Sequence, residues 1–345
     1  MNDKTAGQAN SAAMYQAELL YNRLLKRHRH LKKWARRTGT NAFRLYDRDI
    51  PEIPLVLDLY GDAVSLSLYK RPYEKEAHEE ETWLLAMRAA ASRALNITEN
   101  LIFLRERRQM RGKQESGIQY GKMPGQNIYR DVTEGGLSFR VNLSDYLDTG
   151  LFLDARKKRA LIRDEAAGKS VLNLFAYTCS LSAAAAKGGA HSVDSVDISN
   201  TYLDWGKINF ALNGLGRNDS YSFIRSDVFQ FIKQAAGKSP RWDIIILDPP
   251  SFSNSKKMTG VLDIKRDHRE LIHSCLLMLK PAGTLWFSSN AKGFKLEAED
   301  FPGFAVKDMG PNLWDEDFKG KRMPLCIKIS KKQDRESLNP NITTQ

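Results

Sequence analysis

The sequence predicts an α/β protein in two parts, a mostly parallel sheet with crossover helices preceded by a smaller α+β domain. Three observations carry that prediction. The first is the run Trp242-Asp243-Ile244-Ile245-Ile246-Leu247, closed by Asp248-Pro249-Pro250-Ser251-Phe252. Apolar residues without alternation suit a strand covered on both faces, and paired prolines forbid its continuation, so Asp248 lands at the carboxyl edge of a parallel sheet. Open α/β sheets bind ligands at that edge. The second observation is the rhythm of strand and helix after Gly168, as crossover connections require. The third is the alternating texture of the first half, with hairpins expected at Gly61-Asp62 and Gly135-Gly136.

Taken in order, residues 1–12 are small and polar and are expected to be disordered. A basic helix should follow to about Arg37, with Leu20, Leu24, Leu31 and Trp34 on one face. Strands are expected at 43–46, 55–60 and 63–69, a helix at 76–95, a strand at 101–104 and a hairpin over 129–142. In the second half, strands are expected at 170–174, 192–197, 221–225, 242–248 and 284–288, with helices between them and a late strand near 325–329. The resulting division is a basic helical segment over 1–40, an α+β RNA-binding or accessory domain over 41–145, the sheet domain over 146–335 and a flexible tail over 336–345.

With 42% apolar residues in 345, each part has material for its own core. No run of about 18 apolar residues is present to cross a bilayer and the N-terminus lacks a secretory core, so a cytoplasmic protein is expected. Cys179, Cys275 and Cys326 show no paired spacing, which points away from disulfides and metal and toward small buried hydrophobes.

The 53 Lys+Arg against 41 Asp+Glu leave a formal charge of +12, which suggests a polyanionic partner. Between Arg23 and Arg37 eight cations stand with no acid among them. Arg23, Arg27, Lys33 and Arg37 there, and a second cluster of Arg105, Arg107, Arg108, Arg111 and Lys113, are the candidate RNA contacts. A solvated helix face is the bland reading of the first cluster; two acid-poor clusters favour nucleic acid.

Four strand ends in the second half finish in polar residues. Asn173 to Ser180 runs from a strand into a turn of small residues before an Ala-rich helix, which exposes backbone amides near a helix N-terminus. No Gly-x-Gly-x-x-Gly pattern is present, so a dinucleotide has no obvious cradle. Asp197 ends a strand where a carboxylate can hold a ribose diol. Asp227 and Asp248 end the next two. Each acid alone reads equally well as a helix cap; four such strand ends in register point to one bound cofactor.

The series 173–178, Val196-Asp197-Ile198-Ser199, Ser226-Asp227 and Asp248-Pro249-Pro250-Ser251-Phe252 resembles the motif set of class I S-adenosylmethionine-dependent methyltransferases. More narrowly, residues 142–154, Thr201-Tyr202-Leu203-Asp204-Trp205, Asn213-Gly214-Leu215 and 249–256 resemble the guanine-N7 module of bifunctional bacterial large-subunit ribosomal RNA methyltransferases. The resemblance covers most of the chain from about Asn22. It implies a Rossmann-like domain with a mostly parallel seven-stranded sheet, S-adenosylmethionine as cofactor and ribosomal RNA as partner, with no metal and no membrane. It also implies roles for residues. Asp197 with Ser199 would hold the ribose and Asp227 with Val228 the adenine. Asn173, Phe175, Tyr177, Asp154 and Arg156 would approach the methionine end, Arg156 as carboxylate partner, and Asp248 would face the ammonium. Asp248, Pro249, Pro250 and Phe252 would form the catalytic loop, with Asn254 and Lys256 contacting RNA. A guanine N2-methylating module precedes this one in the bifunctional relatives, so the chain is expected to be the second module freestanding. Relatives commonly place glycine where Cys179 stands.

Guanine N7 needs no proton removed, so positioning and electrostatics suffice. Phe252 is expected to stack on an extruded guanine, against the alternative of a core plug beneath the loop. Two other functions stand beside this one. Cytosine C5 methylation would need a cysteine nucleophile, and a non-catalytic ribosome assembly factor would bind the cofactor without transfer.

Overall fold

A computed structural model describes residues 2–69, 76–107, 127–216, 219–239, 241–253 and 260–332. The chain divides into two compact units. One comprises Met1–Lys157, Ile208–Gly214 and Trp314–Arg322; the other comprises Lys158–Lys207, Leu215–Leu313 and Met323–Gln345.

In the first unit, helix α1 runs Asn2–Thr38. Residues 2–12 are therefore helical rather than disordered; Ala6, Ala9 and Ala12 favour helix and no proline interrupts them. Ala17, Leu20, Leu24, Leu31 and Trp34 bury one face of α1, as their helical spacing requires. A sheet of β1 (Ala42–Asp47), β2 (Leu55–Tyr60), β3 (Ala63–Tyr69) and β4 (Ile102–Arg107) follows in that spatial order. β2 and β3 form the expected hairpin, with Tyr60 opposite Ala63 and Gly61 at a φ of 65° between them. β4 pairs parallel with β3, so α2 (Ala77–Leu95) is a crossover. Phe43, Leu45, Trp83 and Met87 join the α1 face in one core. β5 (Tyr129–Glu134) and β6 (Leu137–Asn142) form a separate hairpin across Gly135 and Gly136, both at positive φ.

The second unit holds a seven-stranded sheet among the described residues. Its strands are β7 (Ser170–Leu174), β8 (Ser192–Asp197), β9 (Tyr221–Arg225), β10 (Trp242–Leu247), β13 (Leu279–Ser289), β14 (Phe304–Asp308) and β15 (Leu325–Lys331). The spatial order is β14-β15-β13-β10-β7-β8-β9. Five neighbours from β13 to β9 run parallel, while β15 and β14 are added antiparallel. The five parallel strands include all those expected, although β13 starts five residues earlier. β14 was not anticipated, because an edge strand that buries none of its residues carries no apolar signature.

Helix α3 (Arg156–Glu165) precedes β7, and α4 (Ser180–Lys187), α5 (Asn200–Leu212), α6 (Val228–Ala236) and α7 (Ile264–Met278) connect the parallel strands. The sheet is apolar on both faces: Leu172, Ile245, Phe287 and Ile329 share one, and Val171, Ile244, Ile246 and Trp286 are buried on the other. Strand order reverses between β7 and β10, and the crevice beyond their carboxyl ends is where such a sheet takes a ligand. Among the described residues no helix is long and apolar enough to cross a membrane.

Candidate active site

At the end of β7, Phe175, Tyr177 and Cys179 adopt φ values of 57°, 50° and 58°. Bulky residues avoid this left-handed region, and holding each there costs on the order of 1–3 kcal/mol. Turns of this kind gather backbone amides into a concavity for anionic or polar groups. The turn is fastened to β8, since Tyr177 N donates to Asp197 Oδ2 at 2.9 Å, and the Tyr177 ring meets Tyr202 edge-on at 4.5 Å.

Cys179 lies fully buried at the start of α4. Its side chain uses room that Gly206 of α5 leaves: a Cβ on Gly206 would come 2.5 Å from Cys179 Sγ. Gly206 thus supplies the space that the Cys179 side chain fills.

Asp197, the last residue of β8, accepts from Ser199 N at 2.9 Å as well as from Tyr177 N. Burial raises its pKa above the ordinary carboxylate value, against backbone amides that pull it down. Asp227 caps α6 by accepting from Phe229 N at 2.9 Å, and Val228 is buried in the sheet core. Asp248, beyond β10, carries a tighter arrangement. Its Oδ2 accepts from Lys158 Nζ at 2.8 Å and its Oδ1 from Ser288 Oγ at 2.5 Å, while Lys158 Nζ also donates to Ser288 Oγ at 2.8 Å. Desolvation pushes the Asp248 pKa up, but the Lys158 charge and these hydrogen bonds outweigh it and hold the carboxyl below its ordinary range.

Phe252 begins the short strand β11 (Phe252–Ser253), paired with β12 (Leu262–Asp263). It is 50% exposed, so it is not a core plug.

Other expected site residues have different work. Asn173 is buried, with its amide donating to Ser182 Oγ at 2.8 Å, which ties its side chain to α4. Asp154 and Arg156 lie in the first unit, Asp154 in a single 3-10 turn before α3. The Arg156 guanidinium is spent on Asp317 at 2.8 and 3.1 Å, Asp315 at 3.1 Å and the Ala42 carbonyl at 2.7 Å. That commitment corrects its assignment as carboxylate partner. Arg105 is corrected too: it is 2% exposed and donates to the carbonyls of Tyr146, Leu147 and Asn142. A buried guanidinium needs hydrogen-bond partners, and these carbonyls supply them.

On α1, Arg23 pairs with Asp49 at 2.8 Å and Arg27 donates to the Asp317 carbonyl at 3.2 Å, whereas Lys33 and Arg37 are exposed. The Arg107 side chain and Arg108, Arg111, Lys113, Asn254 and Lys256 lie outside the described residues. Lys158 and Ser288 were missed, because only the fold brings α3 and β13 to the end of β10.

A family model described as S-adenosylmethionine-dependent methyltransferase matches residues 48–299. The chain is 44% identical to ribosomal RNA large subunit methyltransferase K of Neisseria meningitidis serogroup B, over 90% of this chain and 86% of that protein. It is 42% identical to ribosomal RNA large subunit methyltransferase K/L of Stutzerimonas stutzeri over 92% of its own length. It spans only 42% of that longer relative. Among solved structures, SMU.776 complexed with SAH superposes with a TM-score of 0.71 at 25% identity, covering 91% of this chain and 81% of that one.

Proposed function

Because the chain belongs to the S-adenosylmethionine-dependent methyltransferase family, we propose that the carboxyl edge of its parallel sheet holds S-adenosylmethionine and that the enzyme methylates N7 of a guanine in large-subunit ribosomal RNA, in the cytoplasm. The residues at that edge suit this cofactor. Asp197 would take the ribose hydroxyls, Asp227 the adenine amine, and the strained turn at 175–179 the methionine end through its amides. Asp248 would take the α-ammonium. When bound, the cofactor supplies an electrophilic methyl group on a sulfonium.

The observation that carries the RNA substrate is the identity of 44%, over nearly the whole chain, with a large-subunit methyltransferase K. Exposed cations at Lys33 and Arg37 agree with it. Guanine N7 presents its lone pair in the ring plane and has no proton to lose. The protein must therefore fix the base and exclude water, and needs no general base. Half-exposed Phe252 would provide the stacking surface for the extruded base, with Pro249 and Pro250 keeping the loop behind it stiff.

Cytosine C5 methylation is the second reading, and the cysteines weigh against it. All three are buried; burial holds the Cys179 and Cys275 thiols far above their ordinary pKa and pushes Cys326 up to about 12. A thiol so placed is a poor nucleophile.

Incubation with labelled S-adenosylmethionine and RNA from cells lacking the gene, followed by nucleoside analysis, tests the proposal. Label in 7-methylguanosine is expected. Label in 5-methylcytidine would keep cofactor and fold but overturn the base, and cofactor binding without transfer would favour an assembly factor.

A further inference from the structure

We propose that Lys158 binds the α-carboxylate of the cofactor, exchanging part of its ion pair with Asp248 for that carboxylate when the α-ammonium arrives. The inference rests on the cofactor-edge reading above and assigns a residue that no motif pointed to. Lys158 is 6% exposed, and a lysine buried to that degree needs compensating partners. It has two, Asp248 Oδ2 and Ser288 Oγ, each at 2.8 Å. An ammonium has three donors, and among the described residues the third meets no acceptor.

The charges decide the matter. An α-amino acid presents a cation and an anion two bonds apart. If Asp248 alone met the ammonium, the cofactor carboxylate would lie beside a protein carboxylate, and Lys158 is the cation hydrogen-bonded to that protein carboxylate. Arg156 cannot serve, since its donors go to Asp315, Asp317 and Ala42. A preformed Lys158–Asp248 pair matches the zwitterion charge for charge, so that four charges alternate around one ring. Ser288 from β13 anchors both members. Cys326 of β15, which responds to both charges, stays a neutral thiol. Lys158 of α3, Ser288 of β13 and Cys326 of β15 thus face Asp248 from three elements packed around the end of β10.

The test compares S-adenosylmethionine with its decarboxylated analogue by calorimetry, on the wild-type chain and on Lys158→Met and Lys158→Arg. The wild type is expected to prefer the carboxylated ligand by about tenfold or more, the value of a charged hydrogen bond. That preference should fall to within about twofold in Lys158→Met and return in Lys158→Arg. Affinity for S-adenosylmethionine should also become acid-sensitive in Lys158→Met: without its cation Asp248 titrates at higher pH, and its protonated form loses the ammonium. In the wild type the depressed pKa keeps affinity flat down to the ordinary carboxylate range.

Equal weakening of both ligands would mean that Lys158 only supports the fold, and an undiminished preference would remove it from the site; either result overturns the inference. Should Lys158→Met fail to fold, Lys158→Gln, which keeps a donor to Asp248 without the charge, carries the same comparison. A wild-type chain that bound neither ligand would overturn the cofactor-edge reading itself, and the inference with it.

Discussion

Arg156 joins four carboxylate and carbonyl partners contributed by segments far apart in sequence. Its Nη atoms reach Asp315, Asp317 and the Ala42 carbonyl, Nε lies 3.5 Å from Glu134 and the guanidinium sits 5.0 Å over the Trp34 ring. Asp317 and Glu134 are almost wholly buried, so removing the arginine would strand charges that water cannot reach. Arg156→Ala is expected to cost about 3–5 kcal/mol, as breaking a buried pair does, read as a lower urea midpoint; a loss below about 1 kcal/mol would show that water compensates the stranded acids. Phe252 is the opposite case. Half its surface is exposed, so Phe252→Ala should leave stability nearly unchanged. Loss of stacking, worth about 1–3 kcal/mol per base, should lower kcat/KM for RNA by roughly tenfold to a hundredfold with cofactor affinity unaltered. An unchanged transfer rate would end the stacking role.

At the scale of elements, the turn after β7 and helix α5 are coupled through Cys179 and Gly206. Adding a methyl at Gly206 would drive it into Cys179 Sγ and Cβ, at 2.5 and 2.8 Å, and against Phe223 at 3.3 Å. Gly206→Ala should therefore weaken cofactor binding by disturbing the turn that Asp197 fastens. Cys179→Gly should restore most of the loss, as glycine accepts the left-handed φ without strain. A double-mutant cycle measures the coupling; additive effects would break the link.

Helix α1 shows a second division of labour. Arg23 and Arg27 turn toward Asp49 and the Asp317 carbonyl, while Lys26, Arg29, Lys33 and Arg37 are exposed at helical spacing. Reversing the latter four should lower RNA affinity and reduce its salt slope, by up to about 0.9 per lost phosphate contact on a duplex, with cofactor binding intact. Unchanged RNA affinity would make α1 a structural arm.

For the whole molecule, each unit has its own apolar core, and the cofactor edge belongs to the second. Adding S-adenosylhomocysteine at about 100 times its Kd should stabilise the native state by about 2.7 kcal/mol, read as a rise in the melting temperature. Absence of any rise would mean that the edge does not bind it.

The sequence by itself determined the parallel sheet and the acids at its edge. The unalternated Ile and Leu before Asp248, and the prolines after it, define strand and terminus locally, and Asp197 and Asp227 repeat the pattern on neighbouring strands. It also exposed the basic surplus of α1. The tertiary structure alone decided which charges serve which purpose. Arg156 and Lys158 lie two residues apart in one run of cations, yet they project roughly 200° apart around a helix. One is consumed by Asp315 and Asp317 and the other meets Asp248. No local pattern distinguishes them, because a side chain's partner depends on which distant carboxylate the packed fold brings within reach. The same reason hid Ser288 beside Asp248 and turned Arg105 inward, and it made a cysteine acceptable where only a glycine on another helix leaves it room.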